Sequence, residues 1–214
     1  MMKTRILIAA LVVAWGTCPA QDVTWSQSGL SDTIPEGNPV GISFADNISS
    51  APGEIVQNVT VDLNTTGGYN GDMIAYLVSP NGTEVSLLNL PGVTTGTPFG
   101  NAGSGFSITL ADGNPGITAS TGSPGATVTG PYAAAGSLSS FAGGSINGTW
   151  TLFLADVGYG AGSPTLTGFT VDITPVPEPA NVALGIFGVL LGGLGGFRWY
   201  RRSRQLATVC QTSF

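Results

Sequence analysis

The chain has 214 residues, a formal net charge of −6 and no histidine. Its six Lys and Arg residues lie before Ile6 and after Phe197, whereas all twelve Asp and Glu residues lie between those two positions. A region without cations cannot neutralise phosphate, which excludes nucleic acid as a partner and disfavours anionic lipid headgroups. The absence of histidine excludes Ser-His-Asp and Cys-His catalytic groups and histidine-ligated zinc sites.

Residues 1–20 have the pattern of a secretory signal peptide. Two cationic residues precede an apolar run from Ile6 to Trp15, and mostly small residues follow up to Ala20. This order of basic, apolar and small residues is typical of a cleaved signal, and the apolar run is too short to cross a bilayer. We therefore predict export, with cleavage between Ala20 and Gln21.

The region 21–174 is predicted to form one exported domain. It contains no cysteine, because Cys18 belongs to the predicted signal peptide and Cys210 lies near the end of the chain. A region of this length buries enough surface to form a single core without disulfide bonds. It also contains no Lys, so Cys and Lys nucleophiles are both excluded from it.

The composition and patterning of this region predict an all-β fold. Gly, Ser, Thr and Val dominate, and short alternating or apolar runs are separated by turn residues such as Ser79 to Gly82. Trp150 alternates with polar residues and is expected in the core. The segment 112–147 is poor in large apolar residues and is expected to be surface loop or partly disordered. We predict a jelly-roll-like β-sandwich of about eight strands. The predicted strands are 42–44, 58–63, 73–78, 84–90, 105–110, 127–128, 149–155 and 166–173.

A second apolar run, 180–197, lies near the C-terminus and contains no charged residue. It is long enough to cross a hydrocarbon core as a single transmembrane helix, and the basic segment 198–204 that follows is a stop-transfer signal. The arginines of that segment are Arg198, Arg201, Arg202 and Arg204. The run is preceded by the motif Val176, Pro177, Glu178 and Pro179. The order of these three parts, in residues 175–204, resembles the PEP-CTERM sorting tail of exported bacterial proteins.

This resemblance implies a route through the cell. The domain would cross the inner membrane and be anchored transiently by the helix, with residues 205–214 in the cytoplasm, in agreement with the positive-inside rule. An exosortase, the membrane enzyme that processes such tails, would then cut near the motif. The mature protein would reach the cell surface or the extracellular space.

Two blocks within the exported region carry a second resemblance. The first is 69–83, which contains Gly-Asp-Met and later Ser-Pro-Asn-Gly-Thr. The second combines Gly-Ser-Leu-Ser-Ser-Phe at 136–141 with Asn-Gly-Thr-Trp-Thr-Leu and a later Asp in 147–156. Together they resemble the P domain (P/Homo B), which follows the catalytic domain in subtilisin-like proprotein convertases. The final predicted strand also matches, although Phe169 stands where the family usually has Trp.

The P-domain resemblance implies a candidate calcium site, because some bacterial domains of this kind bind calcium near loop acids. Glu36, Asp72 and Asp156 stand at matching acidic positions. Calcium needs six to eight oxygen ligands, so loop carbonyl groups would have to contribute. Ala161 departs from the pattern, since the family often has a second Asp there. The alternative is that these acids only cap turns or face solvent.

Three functional hypotheses remain open, and none requires a cofactor. The first is a non-catalytic β-sandwich of the cell surface or extracellular matrix. The second is a secreted binding module for a polysaccharide, or for a protease acting in trans, with Tyr69, Tyr132 and Tyr159 as stacking residues. The third is a carboxylate-based glycosidase, which needs two acids facing each other across a groove. We expect that the protein is not an enzyme.

Overall fold

Nine strands and three short 3₁₀ helices make up the regular structure of residues 21–50 and 53–176, which are the residues described in this computed structural model. The 3₁₀ helices are Asn70–Asp72, Ile117–Ala119 and Leu138–Phe141. The strands are β1 (Val23–Thr33), β2 (Asn38–Ile48), β3 (Ile55–Thr66), β4 (Met73–Val78), β5 (Glu84–Asn89), β6 (Phe106–Leu110), β7 (Val128–Tyr132), β8 (Gly148–Asp156) and β9 (Thr165–Val176).

The strands form two sheets, and the predicted all-β sandwich is therefore confirmed. One sheet has five strands in the order β1-β9-β3-β6-β7, and the other has four in the order β2-β8-β4-β5. All pairs are antiparallel except β6 with β7, which is parallel. The edge of β5 is covered by the segment 135–136, whose amides donate to carbonyl groups of that strand.

The core lies between the inner faces of the two sheets. Alternating residues of β3, β8 and β9 are buried, as expected for strands with one face toward the core. Trp150 is fully buried, and its indole N–H donates to the carbonyl of Ile146 at 2.9 Å. Phe44 of β2 contacts Phe169 of β9 with ring centroids 5.4 Å apart, which joins the two sheets. The prediction that Trp150 is a core aromatic is confirmed.

The strand register divides the loops between two ends of the sandwich. Val23, at the start of β1, pairs with Ile173, and β9 runs on to Val176 at this same end. We call it the proximal end. The opposite end, which we call the distal end, holds the connections 34–37, 90–105 and 157–164 and the 3₁₀ helix Asn70–Asp72. Since β9 has twelve residues, the two ends are about 40 Å apart.

Two features differ from the sequence prediction. β1 was not predicted, because it is an edge strand in which only Trp25 is buried and the alternation is therefore weak. The segment 112–147 was predicted as surface loop or partly disordered with one short strand at 127–128; β7 lies at that strand and is longer, and the segment also contains two 3₁₀ helices and buries several side chains. Its apolar residues are too widely spaced for a strand pattern. Their side chains nevertheless reach the core, most of them from turns and 3₁₀ helices and Val128 from β7. Those buried residues are Ile117, Val128, Ala134, Leu138, Phe141 and Ile146.

Several predictions concern residues outside the described part of the chain. The signal peptide, Ala20, the residues of the sorting motif after Val176, the apolar run and the basic segment all lie there. Within the described residues, no helix has the length and apolar character needed to cross a membrane. β9 extends past residue 174, the predicted domain end, and includes Val176 of the motif.

Candidate functional site at the distal end

The loop between β8 and β9 is held by a single carboxylate from the neighbouring connection between β1 and β2. Glu36, in the connection between β1 and β2, accepts hydrogen bonds on its Oε1 atom from three consecutive backbone amides: Gly160 (2.5 Å), Ala161 (2.7 Å) and Gly162 (2.9 Å). The amide of Gly162, followed by that of Ala161, lowers the pKa of Glu36. A glycine-rich loop can turn its amides toward one point, and Glu36 supplies the negative charge there.

Asp72 and Asp156 both lie against Gly158. Asp72 ends the 3₁₀ helix Asn70–Asp72, and its backbone carbonyl accepts the amide of Val157 at 3.0 Å. Its carboxyl group packs so close to Gly158 that a Cβ atom there would collide with it. Asp156 ends β8, is only 1% exposed, and accepts the amide of Gly158 on Oδ1 at 3.0 Å. The strand pairing of Met73 with Asp156 brings these two acids together.

The acids at the distal end influence one another electrostatically. Burial raises the pKa of Asp156 to about 6, with smaller contributions from the negative charges of Asp72 and Glu36, while the hydrogen bond from Gly158 opposes the rise. Burial also raises the pKa of Asp72, to which the charge of Glu36 adds. No Lys or Arg occurs in the described residues, so this negative charge is not neutralised within the domain.

The structure thus brings the three predicted calcium ligands to one end of the sandwich, but not into one chelating group. Among residues 21–50 and 53–176, no three acidic side chains lie close enough together to hold a metal ion. Asp72 and Asp156 share the neighbourhood of Gly158, whereas one carboxylate oxygen of Glu36 is occupied by the loop amides. Calcium binding at these residues stays a prediction.

Two buried asparagines hold the long connection between β5 and β6 against the same end. Asn70 donates from its side chain to the carbonyl of Gly105 at 2.9 Å and accepts the Gly105 amide at 2.8 Å. Asn101 donates to the hydroxyl of Ser120 at 2.9 Å and accepts the amide of Gly103 at 2.9 Å. These bonds satisfy buried polar groups and order the loop that carries Phe99.

Sequence reasoning proposed Tyr159 at this end but missed its other exposed apolar residues. Phe99 is 77% exposed and Val40 is 78% exposed, and neither was proposed as a site residue. The available signal was Phe99 itself, a lone aromatic between Pro98 and Gly100 in a segment without strand alternation. Such an aromatic has no obvious place in a core.

The three tyrosines proposed as a stacking platform do not lie together. Tyr159 is 81% exposed at the distal end, with its ring over Gly37 and its hydroxyl donating to the Gly37 carbonyl at 3.0 Å. Tyr69 is half-buried beside Gly71 at this end. Tyr132 pairs with Leu110 at the end of β7 and packs against the core.

The β-sandwich agrees with a comparison to known families. The family model described as the proprotein convertase P-domain matches residues 56–173, which is more than half of the chain. The chain therefore belongs to the proprotein convertase P-domain family. The match begins within β3, so β1 and β2 complete the sandwich outside the matched range.

Two solved structures of one bacterial protease are similar to this chain. The crystal structure of the Aeromonas sobria serine protease in complex with the chaperone ORF2 is 15% identical, with a TM-score of 0.45, and the match covers 74% of this chain and 27% of that one. The crystal structure of the A. sobria serine protease is 16% identical, with a TM-score of 0.44, and the match covers 73% of this chain and 26% of that one. The chain thus matches only about a quarter of the length of these proteases. No curated protein matches it.

Proposed function

We propose that this chain is an exported, non-catalytic P-domain protein of the cell surface or extracellular matrix, delivered through a PEP-CTERM tail and processed by an exosortase-type enzyme. The observation that carries this proposal is the position of the last strand. β9 ends at Val176, which is also the first residue of the Val176–Pro179 motif. The folded domain therefore leads directly into the predicted processing motif, where a cut would release the whole sandwich.

The chemistry of the described residues supports a non-catalytic role. They contain no His, Lys or Cys, which leaves carboxylates and tyrosine hydroxyl groups as the remaining side-chain general acids or bases. Of the acids that interact at the distal end, Glu36 orders a loop and Asp156 is buried. A glycosidase needs two carboxyl groups facing a sugar across an open groove, and a buried Asp156 does not provide one of them.

The test of this proposal is the intact mass of the protein from membrane and extracellular fractions of its native host. We expect Gln21 as the first residue and a C-terminus between Pro177 and Ala180 in the extracellular fraction. A chain that ends at Phe214 and occurs only in the membrane fraction would show an ordinary single-span anchor and would contradict sorting through the tail.

Calcium binding at the distal end is a second candidate function. The supporting observation is that Asp72 and Asp156 converge on Gly158 and that both have a raised pKa, so a cation between them would relieve their repulsion. When bound, calcium would supply positive charge and would fix the β8–β9 loop through carboxylate and carbonyl oxygens.

Calcium binding is tested by titration calorimetry and thermal unfolding of the protein in calcium, with magnesium for comparison. We expect calcium to raise the midpoint of unfolding of the wild type, and Asp72→Asn to remove this shift. Asp46→Asn, which changes an exposed acid on β2, is the matched control and should keep the shift. An equal response of wild type and Asp72→Asn would assign the calcium effect elsewhere.

A further inference from the structure

Exposed apolar side chains are concentrated at the distal end. Among the described residues, five large apolar side chains are exposed, and only Ile55 of these lies at the proximal end. The other four are Val40 (78%), Val93 (38%), Phe99 (77%) and Tyr159 (81%). Single exposed apolar residues are ordinary on a protein surface, but a concentration of them at one end marks an interaction surface.

By position these side chains fall into two pairs: Val40 and Tyr159 lie next to the connection 34–37, and Val93 and Phe99 lie in the connection 90–105. Tyr159 lies over Gly37, and Val40 follows a few residues later at the irregular start of β2. On the other side, a side-chain methyl group of Val93 lies against Gly100, the residue after Phe99. Tyr159 lies against Gly37 and Val93 against Gly100, and neither glycine has a Cβ atom that would keep the side chain away.

The 3₁₀ helix Asn70–Asp72 connects the two pairs. Gly71 lies against the carbonyl oxygen of Phe99, and a Cβ atom there would collide with it. Asp72, the next residue, places its carboxyl group against Gly158, which precedes Tyr159. These contacts link the loop that carries Phe99 to the loop that carries Tyr159 through Asp72, and we call the surface formed by these two loops, Val40 and Asp72 the distal strip.

The strip is ordered before any partner binds. Glu36 fixes the loop beyond Tyr159 through three amides, and the tyrosine hydroxyl is bonded to Gly37. Phe99 lies in the loop that Asn70 and Asn101 hold in place. An exposed aromatic side chain that is already fixed, as Tyr159 is, and one carried on an ordered loop, as Phe99 is, bind at a lower entropic cost than mobile ones.

The charge of the strip selects the chemistry of the partner. The described residues include every Asp and Glu of the chain except Glu178 and no cation. At the distal end Asp72 lies beside the buried Asp156, and no Lys or Arg of the described residues is present to neutralise them. Carboxylates and the faces of aromatic rings both attract ammonium and guanidinium groups. An uncharged sugar would use the rings but would leave the carboxylates uncompensated.

We propose that this distal strip, formed by Val40, Asp72, Val93, Phe99 and Tyr159, binds a polypeptide segment of another protein that carries Arg or Lys beside an apolar residue. The apolar part would cover the valines and the ring edges, and the cation would lie between Asp72 and an aromatic face. The strip is at the opposite end of the sandwich from Val176. The proposal deepens the proposed function by naming the chemistry of its partner.

The test is a selection from a random-peptide display library on the full chain in detergent micelles, after removal of peptides that bind empty micelles. We expect the retained peptides to be rich in Arg or Lys next to aliphatic or aromatic residues. The affinity of the most enriched peptide, and of a copy with Gln in place of each Arg and Lys, is then measured by fluorescence anisotropy at low and high salt. The Gln copy should bind weakly, and high salt should lower the affinity of the original peptide.

Variants connect the binding to the strip. The double variant Phe99→Ala with Tyr159→Ala should lower the affinity about tenfold or more, because it removes both aromatic contacts without touching the core. Asp72→Asn should also weaken binding and reduce its dependence on salt. Ile55→Ala, which shortens the exposed apolar side chain at the proximal end, is the matched control and should leave the affinity unchanged. Circular dichroism and thermal unfolding establish that each variant is folded.

Three results would overturn the proposal. They are the absence of enriched cationic peptides, equal binding of the Gln copy, and equal affinity of the double variant and the wild type. Binding of a neutral polysaccharide that depends on Phe99 and Tyr159, without any cationic peptide, would assign the strip to a glycan instead. None of these results depends on the mass of the mature chain, so the proposal can fail while export and tail processing stand, and the reverse also holds.

Discussion

The carboxyl group of Asp72 lies directly against Gly158, where only a hydrogen atom separates it from the backbone of the β8–β9 loop. This contact joins the 3₁₀ helix after β3 to a loop far along the chain. It also places Asp72 beside the buried Asp156, whose Oδ1 accepts the Gly158 amide.

The first prediction concerns the space at Gly158. Gly158→Ala should lower the free energy of unfolding by about 1–3 kcal/mol, because the new methyl group would collide with Asp72. Gly96→Ala is the matched control, since a Cβ atom at Gly96 meets nothing closer than 4.0 Å. Unfolding in urea measures the free energy of unfolding of both variants. The loss of stability that Gly158→Ala causes should be smaller when Asp72→Ala is already present than in the wild-type background. If the losses of the two single variants simply add in the double variant, the collision is contradicted.

The second prediction concerns pH and Asp156. Burial raises its pKa from 3.8 to about 6, so its contribution to stability is fully present below pH 3.8 and is lost as the pH rises through about 6. Asp156→Asn should remove this dependence. The difference in unfolding free energy between wild type and Asp156→Asn should therefore change between these pH values and be flat above and below them. A difference that is constant across this window would contradict a raised pKa.

The third prediction concerns the loop amides bound by Glu36. Glu36→Ala should speed hydrogen exchange at Gly160, Ala161 and Gly162, because their common acceptor is removed. Glu36→Gln should retain part of the protection, since its amide oxygen still accepts but carries no full charge. Glu84→Ala, an exposed acid on β5, is the control. Exchange measured by mass spectrometry should show no change at this loop in the control.

The fourth prediction concerns the buried indole of Trp150. Trp150→Phe should lower the free energy of unfolding by about 2 kcal/mol, because it leaves a gap and removes the donor to the Ile146 carbonyl. Phe153 is on the same strand but faces outward and is half-buried. Phe153→Leu should cost less than about 1 kcal/mol in the same urea titration. Equal losses at the two positions would contradict the assignment of Trp150 to the core.

Local patterns were sufficient where a strand has one buried and one solvated face or lies centrally in a sheet. β4 has the predicted limits Met73 to Val78, and β8 and β9 contain the predicted segments with short extensions. The Ser79–Gly82 turn closes the predicted hairpin, with the Gly82 amide donating to the Ser79 carbonyl at 2.9 Å. The edge strand β1 and the turns of 112–147 were not predicted correctly, because their burial depends on neighbours distant in sequence.

For the candidate site, the three acids were selected through the family resemblance, and the structure places them at one end of the sandwich. Their individual roles did not follow from the sequence. Nothing in the local pattern indicates that Glu36 accepts three amides or that Asp156 is buried. Phe99 and Val40 were missed because an exposed apolar residue in a loop looks like any other loop residue until its surroundings are known.

The sequence by itself determined the all-β class, most strand positions, the core role of Trp150 and the absence of cations from the domain, because alternation and composition act over a few residues. The tertiary structure alone decided that Asp72 meets Gly158, that Glu36 orders the β8–β9 loop, and that Phe99 and Tyr159 belong to one strip. These contacts join residues far apart along the chain. They exist only because strand order and register bring the connections of both sheets to the same end.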